Sequence, residues 1–469
     1  MRTQARRPFA LAVLIGLVLA GTAYAEPYDQ AREDRNFEKT TERAVITGSV
    51  EYRTAALQYL AADTPTFAAE MATDPGRSPS GLCTVKHTSC SGDVRLANWE
   101  TRADGIKESV TFVARNGSVY AGHIWATKAG PAKRPLAVIV NGSVQAPEEL
   151  YYFTAFTLAK AGYVVATYDP QGQGRSDQVG AGADTLAGVP SQVAGNTFYD
   201  GPQDMIDFAL STPAKPYVPQ MSHSANSHDD KQKSRVAAGE AAFNPLWSLV
   251  DPSRIGIAGH SYGASGVSYT GQADPRVDAI VAWDNLCAPG ACAAGGRPYP
   301  WVGITKPALG ISADYGLVAS KKSSAPDPLV KNQASLAYSE AGIDTGQINI
   351  RGGTHYEFSF IASSSFPATL RGADLTAWYT LAWFDKYVKG DKSADGRLLT
   401  NRWRTDRLGA AVDLDKDGNL FSFYHPSRLD IRSNGTRVLC EDLRSGCEAL
   451  EMDQEKPDFT YFRGAGLEQ

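Results

Sequence analysis

The chain has 469 residues, of which 43% are hydrophobic, 10% aromatic and 21% charged, with a formal net charge of -5. That describes a folded globular protein with a large core, longer than one average domain. With an acidic balance and no basic run or aromatic-basic alternation, nothing supports a polyanion surface, and no nucleic-acid partner is expected.

Residues 1–25 carry Arg2, Arg6 and Arg7, then an apolar run from Phe9 to Ala20, then Ala23-Tyr24-Ala25. These are the three regions of a secretory signal peptide, with cleavage expected after Ala25. The apolar run is shorter than the ~20 residues a spanning helix needs, and no later stretch comes close, so the mature protein is expected to be secreted, soluble and without a membrane span. No Cys follows the cleavage site to take a lipid anchor. Arg6-Arg7-Pro8-Phe9 matches a twin-arginine signal only in part, which leaves the export route open.

Residues 26–101 read as an accessory arm: a charged leader, a helical segment around Tyr52 to Met71, and a Gly/Ser/Pro-rich stretch. From Ile106 the pattern changes. Ser109 to Ala114 and Val119 to Trp125 alternate like antiparallel strands around the turn Asn116-Gly117. Leu136 to Val140 is a short apolar strand, followed by a helix near Pro147 to Ala161 and a second buried strand, Tyr163 to Tyr168. A helix near Tyr199 to Leu210 precedes the strands Arg254 to Ala258, Ala279 to Trp283, Ala308 to Ile311 and Ile348 to Ile350. Strands buried on both faces and separated by helices predict an α/β fold with a mostly parallel central sheet and helices on both faces. The helix Asp374 to Lys389 closes this unit, so 102–390 is expected to be the catalytic domain and 391–469 a small β-rich extension.

Pro213 to Ala242 interrupts the rhythm with a polar excursion that has little to bury. It reads as a surface loop beside the active-site end of the sheet; a lid should carry a more apolar face. The six cysteines form close pairs, Cys83 with Cys90, Cys287 with Cys292 and Cys440 with Cys447. Short loops close at the least entropy, so three local disulfides are expected in an oxidising compartment. The spacings lack the Cys-x-x-Cys form of a metal site. Asp413-Leu-Asp415-Lys-Asp417-Gly418-Asn419 has the alternating carboxylates of a calcium loop, but Tyr424 stands where the bidentate Glu belongs, so an acidic turn is expected. No cofactor or metal is implied.

The most informative stretch is Gly259-His260-Ser261-Tyr262-Gly263, between an apolar strand and a small-residue helix start. A Ser on such a turn projects its hydroxyl from the strand's end, which is the setting of a nucleophile. Its hydroxyl needs a base and a carboxylate to orient that base. Asp314 and His355 follow later strands and leave from the same sheet edge, which makes Ser261, Asp314 and His355 the expected triad. Asp284 competes as the carboxylate, with strand order favouring Asp314, and His425 competes as the base from beyond the expected last strand. His260 is expected to pack or hydrogen-bond structurally; His87, His123, His223 and His228 have no partner logic. Two backbone donors should stabilise the oxyanion: the N–H of Tyr262 and that of Ser143, with Val144 second, in the loop Asn141-Gly142-Ser143-Val144.

With the Gly-His-Ser-Tyr-Gly elbow and the loop Asp169-Pro-Gln-Gly-Gln-Gly-Arg-Ser-Asp177, the chain resembles an α/β-hydrolase over roughly Ile106 to Lys389. It is most similar to the exported esterase and dienelactone-hydrolase-like branches; Asn141 departs from the His that many relatives place before this glycine. The resemblance implies a secreted serine hydrolase that cleaves small-molecule or polymeric carboxylic esters through an acyl-enzyme. A peptidase or amidase with the same triad, or a silent hydrolase-like binding protein, are the alternatives.

Overall fold

A computed structural model describes residues 27–47, isolated helical positions between 50 and 72, 104–143, 146–177, 196–292, 299–360, 362–363, 366–367, 370–403, 419, 421–447 and 453–454. In chain order the main elements are α1 (Gln30–Thr47), β1 (Gly105–Val113), β2 (Val119–Thr127), β3 (Arg134–Val140), α2 (Tyr152–Lys160), β4 (Val164–Tyr168), α3 (Asn196–Ala209) and α4 (Asp229–Ala237). They continue with β5 (Val250–His260), α5 (Tyr262–Ala273), β6 (Ala279–Trp283), β7 (Ala308–Ala313), α6 (Gln333–Glu340), β8 (Thr345–Ile350), α7 (Leu370–Phe384), β9 (Arg428–Ser433) and β10 (Thr436–Cys440).

The ten strands form one sheet in the order β1-β2-β4-β3-β5-β6-β7-β8-β9-β10. Its centre, from β4 to β8, is parallel, and both margins are antiparallel. Side chains of a strand alternate between faces, so a run apolar at every position needs cover on both. In β3, Ala137 and Ile139 join one core with α2 and α7, while Leu136, Val138 and Val140 join the other with α3 and α5. The apolar runs of the sequence thus become central strands because two helical layers bury both their faces.

The register sets up the site. Val140 pairs with Gly259, His260 with Trp283, and Ala313 with Ile350. The connections leaving β3, β5, β6, β7 and β8 therefore start from one edge of the sheet.

The hairpin turns at Gly117, whose φ of 81° suits glycine. Two regions differ from the sequence expectation. The polar excursion 213–242 contains α4 and docks on the edge strand: Gln232 accepts from the Val113 N–H at 2.8 Å, and Tyr217 donates to the Val113 carbonyl at 3.0 Å. Local composition carried no mark of these two anchors. The stretch after residue 390 extends the main sheet, since β9 pairs with β8. Leu429 and Ile431 are completely buried in the same core as α7.

Cys287 and Cys292 stand with Cα atoms 5.6 Å apart, and Cys440 and Cys447 5.7 Å apart, both within disulfide reach. The pair Cys83 and Cys90, the signal region 1–25, and all of the calcium-like segment except Asn419 lie outside the described residues. Among the described residues, no helix is long and apolar enough to cross a membrane.

Candidate active site

Ser261 occupies the turn between β5 and α5 with φ 56° and ψ -117°. A positive φ is costly for a residue with a Cβ and persists where the surroundings over-determine it. Only four described non-glycine residues have positive φ, and two are Ser261 and Asp284, at 56° and 41°. The turn is possible because its flanking glycines are close-packed. A Cβ on Gly259 would fall 2.6 Å from the Gly263 carbonyl oxygen, and one on Gly263 would fall 2.3 Å from that of Asn141.

The carboxylate that meets His355 is Asp284. His355 Nδ1 lies 2.6 Å from Asp284 Oδ2. Burial alone would raise the Asp284 carboxyl, but the hydrogen bond and charge of His355, backed by Lys331 and His260, hold it below the ordinary value. A carboxylate only accepts, so the shared proton of this hydrogen bond sits on Nδ1.

Asp314, the acid expected from strand order, is engaged elsewhere. Its Oδ2 accepts from Asn36 Nδ2 of α1 at 3.0 Å and from the Gly352 N–H at 2.7 Å, and its Oδ1 accepts from Ser422. Burial would raise this carboxyl too, but Lys322, His425 and these donors hold it low. Asp314 thus ties α1 and the C-terminal segment to the backbone just before His355. His425, the alternative base, is buried against that Asp314 cluster, and burial lowers its pKa.

His260, which precedes Ser261, is buried and bonded through both ring nitrogens. Its Nε2 lies 2.9 Å from the His355 carbonyl oxygen, which can only accept, so Nε2 carries the proton. Its Nδ1 then accepts from the Tyr151 hydroxyl at 2.9 Å, and Tyr151 Oη accepts from the Gly142 N–H at 2.9 Å. Complete burial, helped by the charge of His355, pushes the His260 pKa well below the usual histidine value, so the ring is neutral. The rings of His260 and His355 lie 4.5 Å apart. One line of hydrogen bonds therefore runs from the loop after β3, past the residue preceding Ser261, to the backbone of His355.

The loop after β3 is braced on its other side by Asn141, whose Nδ2 donates to the Ala146 carbonyl at 3.0 Å and to Asp169 Oδ1 at 3.1 Å. Asp169 also accepts from the N–H groups of Glu148 and Arg175, each at 2.8 Å. Ser143 follows in this loop, half-buried, and Val144 lies outside the described residues. Tyr262 is the first residue of α5, where helix N–H groups have no carbonyl partner within the helix.

A cavity of about 760 Å³ is lined among others by Ser261, Tyr262, Asp284, Leu286, Val330 and Lys331. The Cys287–Cys292 pair shapes one wall through Cys287, Ala288 and Ala291.

Two histidines for which the sequence offered no partners have them. His223 faces Asp200 at 3.1 Å. His123 Nδ1 lies 2.6 Å from Glu148 Oε1, and its Nε2 lies 3.1 Å from Ser109 Oγ. This serine–histidine–carboxylate line sits in mid-strand on the hairpin, where extended backbone does not converge N–H groups on one point as a helix start does. It braces β1 and β2 against the Glu148 segment. No metal-binding group of three or more His, Cys, Asp or Glu exists among the described residues.

No protein-family model and no curated protein matches the chain.

Proposed function

We propose that this chain is a serine hydrolase of the α/β-hydrolase type that cleaves carboxylic esters through an acyl-enzyme on Ser261, with His355 as general base and Asp284 as the orienting acid. The observation that carries the reading is the 2.6 Å His355–Asp284 pair, with Asp284 and a strained Ser261 lining one cavity. In this reading His355 Nε2 takes the Ser261 proton as Oγ attacks the ester carbonyl, and returns it to the leaving alkoxide. Water then repeats the sequence against the acyl-enzyme, giving the acid and free Ser261. Tyr262 N–H would supply one oxyanion donor. The Gly142 N–H is taken by Tyr151, which favours Ser143 as the second.

The reading gives the acid's role to Asp284 in place of Asp314 because the base needs a carboxylate within bonding reach, and among the described residues that carboxylate is Asp284. Export belongs to the same proposal. The signal-like residues 1–25 and two cysteine pairs at disulfide distance support an oxidising, extracytoplasmic compartment.

Purified protein should hydrolyse p-nitrophenyl acetate, and Ser261→Ala should lower kcat by about a thousandfold or more. Turnover unchanged in that variant would remove Ser261 from the chemistry.

A further inference from the structure

Resting on that reading of the site, we propose that the pocket takes esters bearing a negatively charged group several atoms from the reacting carbonyl, and that Lys331 is the residue that selects them.

Two charged side chains, Asp284 and Lys331, are among those that line the cavity around Ser261. The Asp284 charge is spoken for by His355 at 2.6 Å. Lys331 is half-buried at the cavity wall and makes no ion pair or hydrogen bond with any described residue. The other lysines of the same connection are engaged. Lys321 pairs with Asp34 at 3.2 Å, and Lys322 donates to the Asp314 carbonyl at 2.9 Å and lies over the Tyr315 ring. Of these three cations, the one that shares the cavity with Ser261 is thus the one with no ion pair or hydrogen bond among the described residues.

Its charge is felt inside the site, because Lys331 is among the groups that hold the Asp284 carboxyl low. A second contribution has the same sign. α6 begins at Gln333, and Gln333 and Ala334 both line the cavity, so the positive end of that helix opens into the same space. The residue at its N-cap, Asn332, makes no side-chain cap and instead donates to the Pro426 carbonyl at 3.1 Å. In a partly enclosed cavity a unit charge acts across several ångströms more strongly than in water, so a substrate anion gains where a neutral group of equal size does not. The volume is ample for a small ester with such an extension.

The test compares matched esters on the full-length mature chain. On the acyl side, p-nitrophenyl hemiglutarate is set against p-nitrophenyl valerate; on the alcohol side, 4-acetoxybenzoate against 4-acetoxybenzamide. In at least one pair the anionic ester should be favoured in kcat/KM by on the order of tenfold at low salt, and the arm showing it tells which side of the ester carries the charge. The preference should shrink at 0.5 M NaCl, collapse in Lys331→Gln, invert in Lys331→Glu and survive in Lys321→Gln. Melting curves of the variants confirm that each is folded. Equal selectivity in the native chain and Lys331→Gln, with the neutral esters still turned over, would overturn this inference and leave the hydrolase reading standing. No turnover of any of the four esters would overturn both.

Discussion

His355 reaches Asp284, one strand before Asp314, and the two side chains meet at 2.6 Å. Asp314 spends its oxygens on Asn36, Gly352 and Ser422. The two acids leave adjacent parallel strands and are both buried, yet one bonds the imidazole of His355 and the other bonds the backbone at Gly352 just before it.

The two aspartates should therefore separate under substitution. Asp284→Asn should lower kcat by about a thousandfold or more, because the amide would favour the wrong imidazole tautomer, with KM little changed. Asp314→Asn should keep kcat within about tenfold and lower the melting temperature through the lost charged acceptor. Steady-state kinetics and melts on both variants check this; the opposite ranking in kcat would restore Asp314 as the acid.

Tyr151→Phe removes the hydroxyl that links Gly142 to His260 and leaves two buried groups without their partner. A stability loss of about 1–3 kcal/mol is expected, with kcat down about tenfold. Gly142→Ala should act on the same point from the other side, since its new methyl would stand 3.0 Å from His260 Nδ1 and 3.2 Å from Ser261 Cβ. Normal turnover in both variants would show that this line does not position the loop.

Acidification should destabilise the protein through His260. Its folded pKa is depressed by burial, so the unfolded chain binds the proton first as pH falls. The stability it contributes is present above the unfolded value of about 6.5 and is lost progressively below it. Melting temperatures between pH 8 and pH 5 should fall along that window, and His260→Gln should flatten the slope. An identical slope in the variant would assign the acid sensitivity to other groups.

The Cys287–Cys292 link should matter more for substrate than for fold. Its loop is short, so chain-entropy reasoning gives about 2 kcal/mol. Cys287, Ala288 and Ala291 line the cavity, and the double Ser variant should raise KM several-fold with a small drop in melting temperature. An unchanged KM would place this wall outside the substrate's reach.

Much of the sheet was legible because strands buried on both faces announce themselves as short apolar runs; Ala279 to Trp283 has the bounds read from the sequence, and others differ by a few residues. The helical excursion at α4 was not, because its composition is polar and its anchors, Gln232 and Tyr217 on Val113 and His223 on Asp200, reach residues far away in the chain. Nor was the return of β9 to the sheet edge, since pairing with β8 joins residues some eighty positions apart. Within the site, Ser261 and His355 carry local marks, a glycine-framed turn and a glycine-rich loop after a strand. Tyr151, Lys331 and the pairing of Glu148 with His123 carry none.

From the amino-acid order alone came the alternation of strands and helices, the turn that lifts Ser261, and the loop that bears His355. Each depends on neighbours within a few residues, through backbone freedom at glycine and the burial of apolar runs. The pairing of His355 with Asp284 and not Asp314, the His260–Tyr151 hydrogen bond and the position of Lys331 on the cavity wall came only from the tertiary structure. The two pairings rest on hydrogen bonds of 2.6–3.0 Å between residues tens to hundreds of positions apart, and the place of Lys331 on long-range packing; a chain's local pattern contains no measure of which distant groups will come within that reach.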